Sequence, residues 1–252
     1  LQGETFEEKI IWSIRLPRLL TAVLTGGGLA IVGAVFQGLF RNPMADPFVL
    51  GMSSGAALGA SIAIVLGISI PVLGLSGISL FAFMGALLTM VTIFMIARAR
   101  GSLDSTTLLL SGVALNFLCS SIIYLFMFLR YDKMKQILMW TFGSFSTASW
   151  EKLFMMLPII AAGTIVLRLF ARDLNGIMTG ETQARSFGVD VDKARKSIIL
   201  ASTLMVGVMV ATSGIIGFVG LMIPHLLRLV AGADFKKLLP LSFLYGGLFL
   251  LV

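Results

Sequence analysis

The one histidine of this 252-residue chain, His225, and its one cysteine, Cys119, are where metal or nucleophile chemistry would have to begin. One imidazole cannot assemble a metal cluster. One thiol inside an apolar run supports neither a disulfide framework nor a cysteine metal site within a single chain. His225 follows Pro224 and reads as a hydrogen-bonded structural residue ahead of a proton relay. Acid–base catalysis at membrane depth would need carboxylates there, and the apolar runs contain none. No G-x-x-x-x-G-K-[ST] loop occurs anywhere, so the chain lacks that route to ATP and energy from ATP would have to arrive through a partner. An intramembrane enzyme is therefore disfavoured, and no cofactor or metal is expected.

The stretches around these residues fix the solvent. Between Asp46 and Arg98 there is no Asp, Glu, Lys, Arg or His. Roughly 20 apolar residues cross a hydrocarbon core, so this stretch holds two spans with a turn from Ser69 to Gly77 around Pro71. The whole chain is 58% hydrophobic and 12% charged, with a mean hydropathy of +1.01, far from a soluble composition. Its net charge of +7 does not call for nucleic acid, because the cations cluster in short segments between apolar runs, the pattern that sets membrane orientation.

The runs read as spans near Leu19 to Leu39, Val49 to Ile68, Ile78 to Ala97, Thr106 to Leu129, Phe154 to Leu169 and Ser197 to Ala211. A shorter piece lies around Gly220 to Val230, and the last run, from Pro240 to Val252, reads as truncated. If the segment Ala171 to Lys196 is cytoplasmic, the opposite side holds Lys9, Arg15, Arg18, Arg130, Lys133, Lys135 and Lys152, and the other twelve cations fall inside. Leu1 to Arg18 is then outside. Gly26, Ala30, Ala34 and Gly38 repeat every four residues, as do Gly51, Gly55 and Gly59. Such stripes let helix backbones approach closely in lipid, so both helices should be buried in the bundle.

Three polar features remain. Residues 171–196 form the longest polar segment, and within it Thr179 to Gly188 reads as a short helix: N-cap at Thr179 or Gly180, Glu181 at the positive dipole end, Gly188 as its stop. A docking knob and a solvated connector are equally open on the residues alone. Asn116 and Ser120 share a helix face by i, i+4 spacing and suit either a lined path or helix-to-helix hydrogen bonding. Trp140, Phe142, Gly143, Phe145 and Trp150 suit an interfacial belt, with an outer gate as the alternative.

Five segments, in order, resemble one family: Ile14 to Arg18, Phe36 to Pro47, Leu50 to Ala56, Gly180 to Gly188 and Gly217 to Arg228. They look like the FecCD-type permeases, membrane subunits of ABC importers for iron siderophores, haem and vitamin B12. The resemblance implies an all-α polytopic helical bundle in the inner membrane of a bacterial or archaeal cell, a fragment (residues 1–252) of a ten-helix permease lacking the first helix, the end of the ninth and the tenth. It implies a homodimer, cytoplasmic ATP-binding subunits and an outer substrate-binding protein. By that comparison Arg15 and Arg18 dock acidic residues of the binding protein. Gly180, Glu181, Ala184, Arg185 and Gly188 belong to a coupling helix, with Glu181, Ala184 and Arg185 contacting the ATPase. Arg41 to Pro47 is a structural turn in which Asp46 caps the succeeding segment. The segments Thr106 to Leu129 and about Met134 to Ser149 line the translocation path, with Asn116 and Ser120 upon it. The alternative is an ion-coupled secondary transporter, which the near absence of charge within the spans disfavours.

Overall fold

The computed structural model describes residues 6–68, 76–99 and 104–251. The Pro71 turn and Arg100 lie outside them. Among the described residues the regular elements are all helical: α1 (Phe6–Ile10), a π turn (Ile11–Arg15), α2 (Leu16–Leu39), a 3-10 turn (Pro47–Leu50), α3 (Met52–Leu66), α4 (Gly77–Ala99), α5 (Ser105–Leu129), α6 (Tyr131–Thr141), α7 (Trp150–Leu169), α8 (Ala171–Thr179), α9 (Glu181–Ser186), α10 (Val191–Ser213), α11 (Val219–Ala231) and α12 (Phe235–Phe249). Five of these stretches, 7–39, α4, α5, α7 and α10, are long and apolar enough to cross a membrane. The chain is a multi-pass membrane protein.

Short polar residues start the helices where the chain turns. Asp46 Oδ1 accepts from the Phe48 amide at 2.7 Å, as the sequence led us to expect. Asp190 accepts from the Lys193 amide at 3.0 Å to open α10, and Asp234 from the Lys236 amide at 3.1 Å to open α12. Each satisfies a backbone donor with no intrahelical partner.

The centre of the bundle is α2 and α10, in each of which 78% of the most apolar window is buried. Both glycine stripes make the expected close contacts. Gly26 meets the Gly246 carbonyl of α12, and Gly38 meets the ring of Phe235. Gly55 and Gly59 face the carbonyls of Gly85 and Phe81 on α4. Gly51 stands outside its helix, as a left-handed N-cap with φ +75° that breaks the expected span from Val49 into a 3-10 turn and α3. The outer helices α4, α5 and α7 bury a third or less of their windows, α5 least at 17%.

Two boundaries differ from expectation for identifiable reasons. Helix α2 does not begin at Leu19: it continues α1 through the π turn. Pro17 has no N–H to close a regular turn on Ser13, and the backbone widens just before it. The polar segment 171–196 is more helical than the single short helix expected within it. It is α8, α9 and the first two turns of α10, because Asp190 caps a helix whose first turns carry Asp192, Lys193, Arg195 and Lys196.

One end of the bundle gathers the end of α2, α8, α9 and the starts of α10 and α12, tied by Asn175 Nδ2 donating to Asp234 Oδ1 at 2.8 Å. That bond holds the Asp234 carboxyl below the usual carboxylate range. The other end gathers the π turn, the end of α3, α6 and the start of α7. There Trp150 Nε1 donates to the Trp12 carbonyl at 2.9 Å, and Arg130 to the Val65 carbonyl at 3.4 Å.

Candidate functional site

At the end that carries α8, a six-residue helix stands between two glycines in left-handed or extended-positive conformations, Gly180 (φ +132°) and Gly188 (φ +82°). Little or nothing crowds either position, so glycine is there for its backbone freedom. The short helix expected from Thr179 to Gly188 is thus present, with Gly180 as its N-cap.

Its faces differ from expectation. The Ala184 side chain is 0% exposed and packs into the core of the same chain, so it cannot be presented to a partner. Glu181 also turns inward, forming an ion pair with Arg195 of α10, whose side chain is 2% exposed. Arg185 stays at the surface, where its Nη2 donates to Asp192 Oδ2 at 2.9 Å. This hydrogen bond holds the Arg185 guanidinium above its usual range. Two residues outside the expected contact set bear on this helix: Phe187, its C-cap, 77% exposed beside Gly188, and the buried Arg195 of α10. An unpaired aromatic within a polar segment was the available signal for Phe187, whereas nothing in the spacing marked Arg195.

At the opposite end Arg15 and Arg18 are both exposed, and among the described residues neither has an acidic partner. They sit within one helical rod, Arg15 closing the π turn and Arg18 in the first turn of α2. The adjacent aromatic set is partly open, with Phe142 73% exposed and Trp150 stacked on Phe154 at 5.7 Å.

Between the ends, α3, α5, α6 and the 3-10 turn line an open cavity of about 540 Å³. Asn116 and Ser120 both border it, with Asp46, Ser53, Ser54 and Thr141. Asn116 also does structural duty: Ser54 Oγ donates to its Oδ1 at 2.6 Å, and its Nδ2 donates to the Val49 carbonyl at 3.5 Å. Cavity lining and helix-to-helix bonding therefore coexist in one residue. His225 is half-buried on α11 and, among the described residues, its side chain makes no hydrogen bond, contrary to the structural bond expected for it. Cys119 is buried and unpaired, and no group of three metal-ligating side chains occurs among the described residues.

The sequence profile of the FecCD transport family matches residues 1–252. The cobalamin import system permease protein BtuC of Halobacterium salinarum is 40% identical over 96% of this chain and 64% of its own length. The hemin transport system permease protein HmuU of Yersinia pestis is 42% identical over 96% of this chain and 73% of its own. Among solved structures, an inward-facing ABC transporter of the metal-chelate type superposes with a TM-score of 0.88 at 34% identity, covering 100% of this chain and 80% of the other. This chain thus spans between about two thirds and four fifths of these proteins.

Proposed function

We propose, from the premise that this chain belongs to the FecCD transport family, that it carries an iron chelate (siderophore or haem) or cobalamin inward by alternating access. As a family member it is the permease subunit of an ABC importer, a transport protein and not an enzyme. The observation that carries the reading is the family match from the first residue to the last, joined by relatives named for cobalamin and haemin.

The energy source in this reading is a separate ATP-binding subunit at the face that carries α9, placed at the cytoplasmic surface of a bacterial or archaeal inner membrane. A second copy of the permease pairs along α5, the least buried span, which presents Phe117, Tyr124 and Phe128 outward. The cavity bordered by Asn116 and Ser120 opens onto that shared path. An outer substrate-binding protein delivers the cargo to Arg15 and Arg18, whose forked, permanently charged donors suit carboxylates and set docking register and on-rate. Replacing both with glutamate is expected to weaken binding-protein affinity at least 100-fold while the ATPase still co-purifies. Unchanged affinity in a surface-binding measurement would remove that role.

The test of the whole reading is uptake into proteoliposomes by the full-length permease with its ATPase and binding protein, offered ferric siderophore, haem and cobalamin with and without ATP. Accumulation of one ligand only with ATP is the expected result. Uptake that ignores ATP and follows an ion gradient would overturn it.

A further inference from the structure

Among the described residues Arg195 is the largest side chain fully enclosed by the protein. It lies in the second turn of α10, its acidic partner is Glu181, the first residue of α9, and its Nε has no acceptor among the described residues. A guanidinium out of water demands a counter-charge, so the position of Glu181 is dictated from inside the bundle.

Helix α9 packs mostly on α8, and its ties to α10 run mainly through charged side chains. It is six residues long between the glycine joints at 180 and 188, and its own backbone does not set its direction. Ala184 anchors one face by burial. The Arg185–Asp192 pair adds a second link to α10, but its side chains are 52% and 49% exposed, where an ion pair contributes little. The Glu181–Arg195 pair, with Arg195 2% and Glu181 33% exposed, is the better sheltered of the two links.

The far end of α10 gives this link its consequence. Over 23 residues α10 spans about 35 Å and is packed on most sides. At its last residue the Ser213 carbonyl accepts from the Ser144 amide at 2.7 Å, and Ser213 Oγ meets Thr25 Oγ1 at 3.4 Å. Gly143 and Gly214, both with positive φ, press backbone to backbone beside them. A displacement of α10 along its axis therefore bears on the turn after α6 at the opposite face.

We propose that Arg195 is a positioning residue for transport, which through Glu181 makes α9 and α10 one rigid body and so delivers a push on α9 to the Ser144 turn. Arg195 touches neither cargo nor partner. The inference rests on the reading of α9 as the docking helix for the ATPase.

Two measurements on the full-length permease with its ATPase and binding protein test it. In the first, spin labels at Gln183 and Lys196, in a Cys119→Ser background, report the distance between α9 and α10. One narrow distribution, unchanged by ATP binding to the complex, is expected. A distance that shifts with ATP while uptake remains ATP-driven would overturn the inference and leave the importer reading standing. Absence of ATP-driven uptake by the unsubstituted complex would instead strike the importer reading.

In the second, ATP hydrolysed per molecule imported is measured for Glu181→Leu with Arg195→Met, an apolar exchange that removes the charges together, and for the charge-swapped Glu181→Arg with Arg195→Glu. The apolar pair is expected to keep its unfolding temperature and ATPase partner while the ratio rises about tenfold; the swapped pair should recover at least half of the coupling. An apolar pair at the original ratio would reduce Arg195 to a stabilising residue. Should that variant fail to assemble, the label distances decide.

Discussion

Gly33→Val is expected to leave almost no folded permease in the membrane, whereas Gly217→Ala is expected to melt with the unsubstituted protein. A Cβ at Gly33 would stand 1.7 Å from the carbonyl oxygen of Gly220, with the rest of that peptide within 2.8 Å. Nothing there can swing aside, because both surfaces are backbone. Helices α2 and α11 would have to part, and with them the bond from Gln37 Nε2 to the Leu221 carbonyl at 3.0 Å and the reach of Arg228 Nη2 to the Ala34 carbonyl at 3.5 Å. Gln37 is fully buried, so its amide would lose its acceptor away from water. Together these place the cost at about 4 kcal/mol or more, the upper end for single substitutions. Gly217 has nothing within 4 Å of an added Cβ and should stay within about 0.5 kcal/mol. Yield of monodisperse protein in detergent and its thermal unfolding midpoint check both. A Gly33→Val permease that melts with the unsubstituted one would show that α2 and α11 do not depend on this contact.

The same contact explains how much could be read from the residues alone. Four-residue spacing of Gly26, Ala30, Ala34 and Gly38 identified a buried helix, since small side chains in lipid have no other strong reason to align. Gly33 lies off that stripe and faces α11 instead, so one stripe revealed that α2 is central but not that it is approached from several sides. Charge-free length located the spans α4 and α5 to within two residues, because the bilayer sets that length. Charge masked the start of α10, where Asp192, Lys193, Arg195 and Lys196 counted toward the polar segment and the span was expected only from Ser197. The decisive signal was the cap at Asp190, and whether a charged residue faces water or a buried partner depends on what packs across from it. The segment 180–188 shows the same limit. Its glycine boundaries and helical nature come from local rules, but the inward turn of Glu181 and Ala184 is set by α10 and α8, elements that spacing within the segment does not specify.

Phe187→Asp is expected to release the ATP-binding subunit, weakening its affinity for the detergent-solubilised permease at least 30-fold. On α9 the side chains named from the sequence are mostly committed elsewhere: Ala184 to the core, Glu181 to Arg195 and Arg185 to Asp192. Phe187 is not. It is 77% exposed at the C-terminal end of the helix, where its amide closes on the Gln183 and Ala184 carbonyls and leaves the ring outside. Removing such a ring from water contributes about 2 kcal/mol or more, and buried aromatic anchors of that size dominate interfaces. An aspartate in its place has no ring to bury and brings a charge that would have to be desolvated. Because the ring makes little contact with its own chain, the substitution should leave the unfolding midpoint unchanged, which separates lost docking from lost folding. Thr182→Ala, on the exposed surface of the same helix, should change affinity less than threefold. If Phe187→Asp binds the ATPase within twofold of the unsubstituted permease, α9 is not the docking element, and the push that Arg195 is proposed to transmit would have to enter the bundle elsewhere.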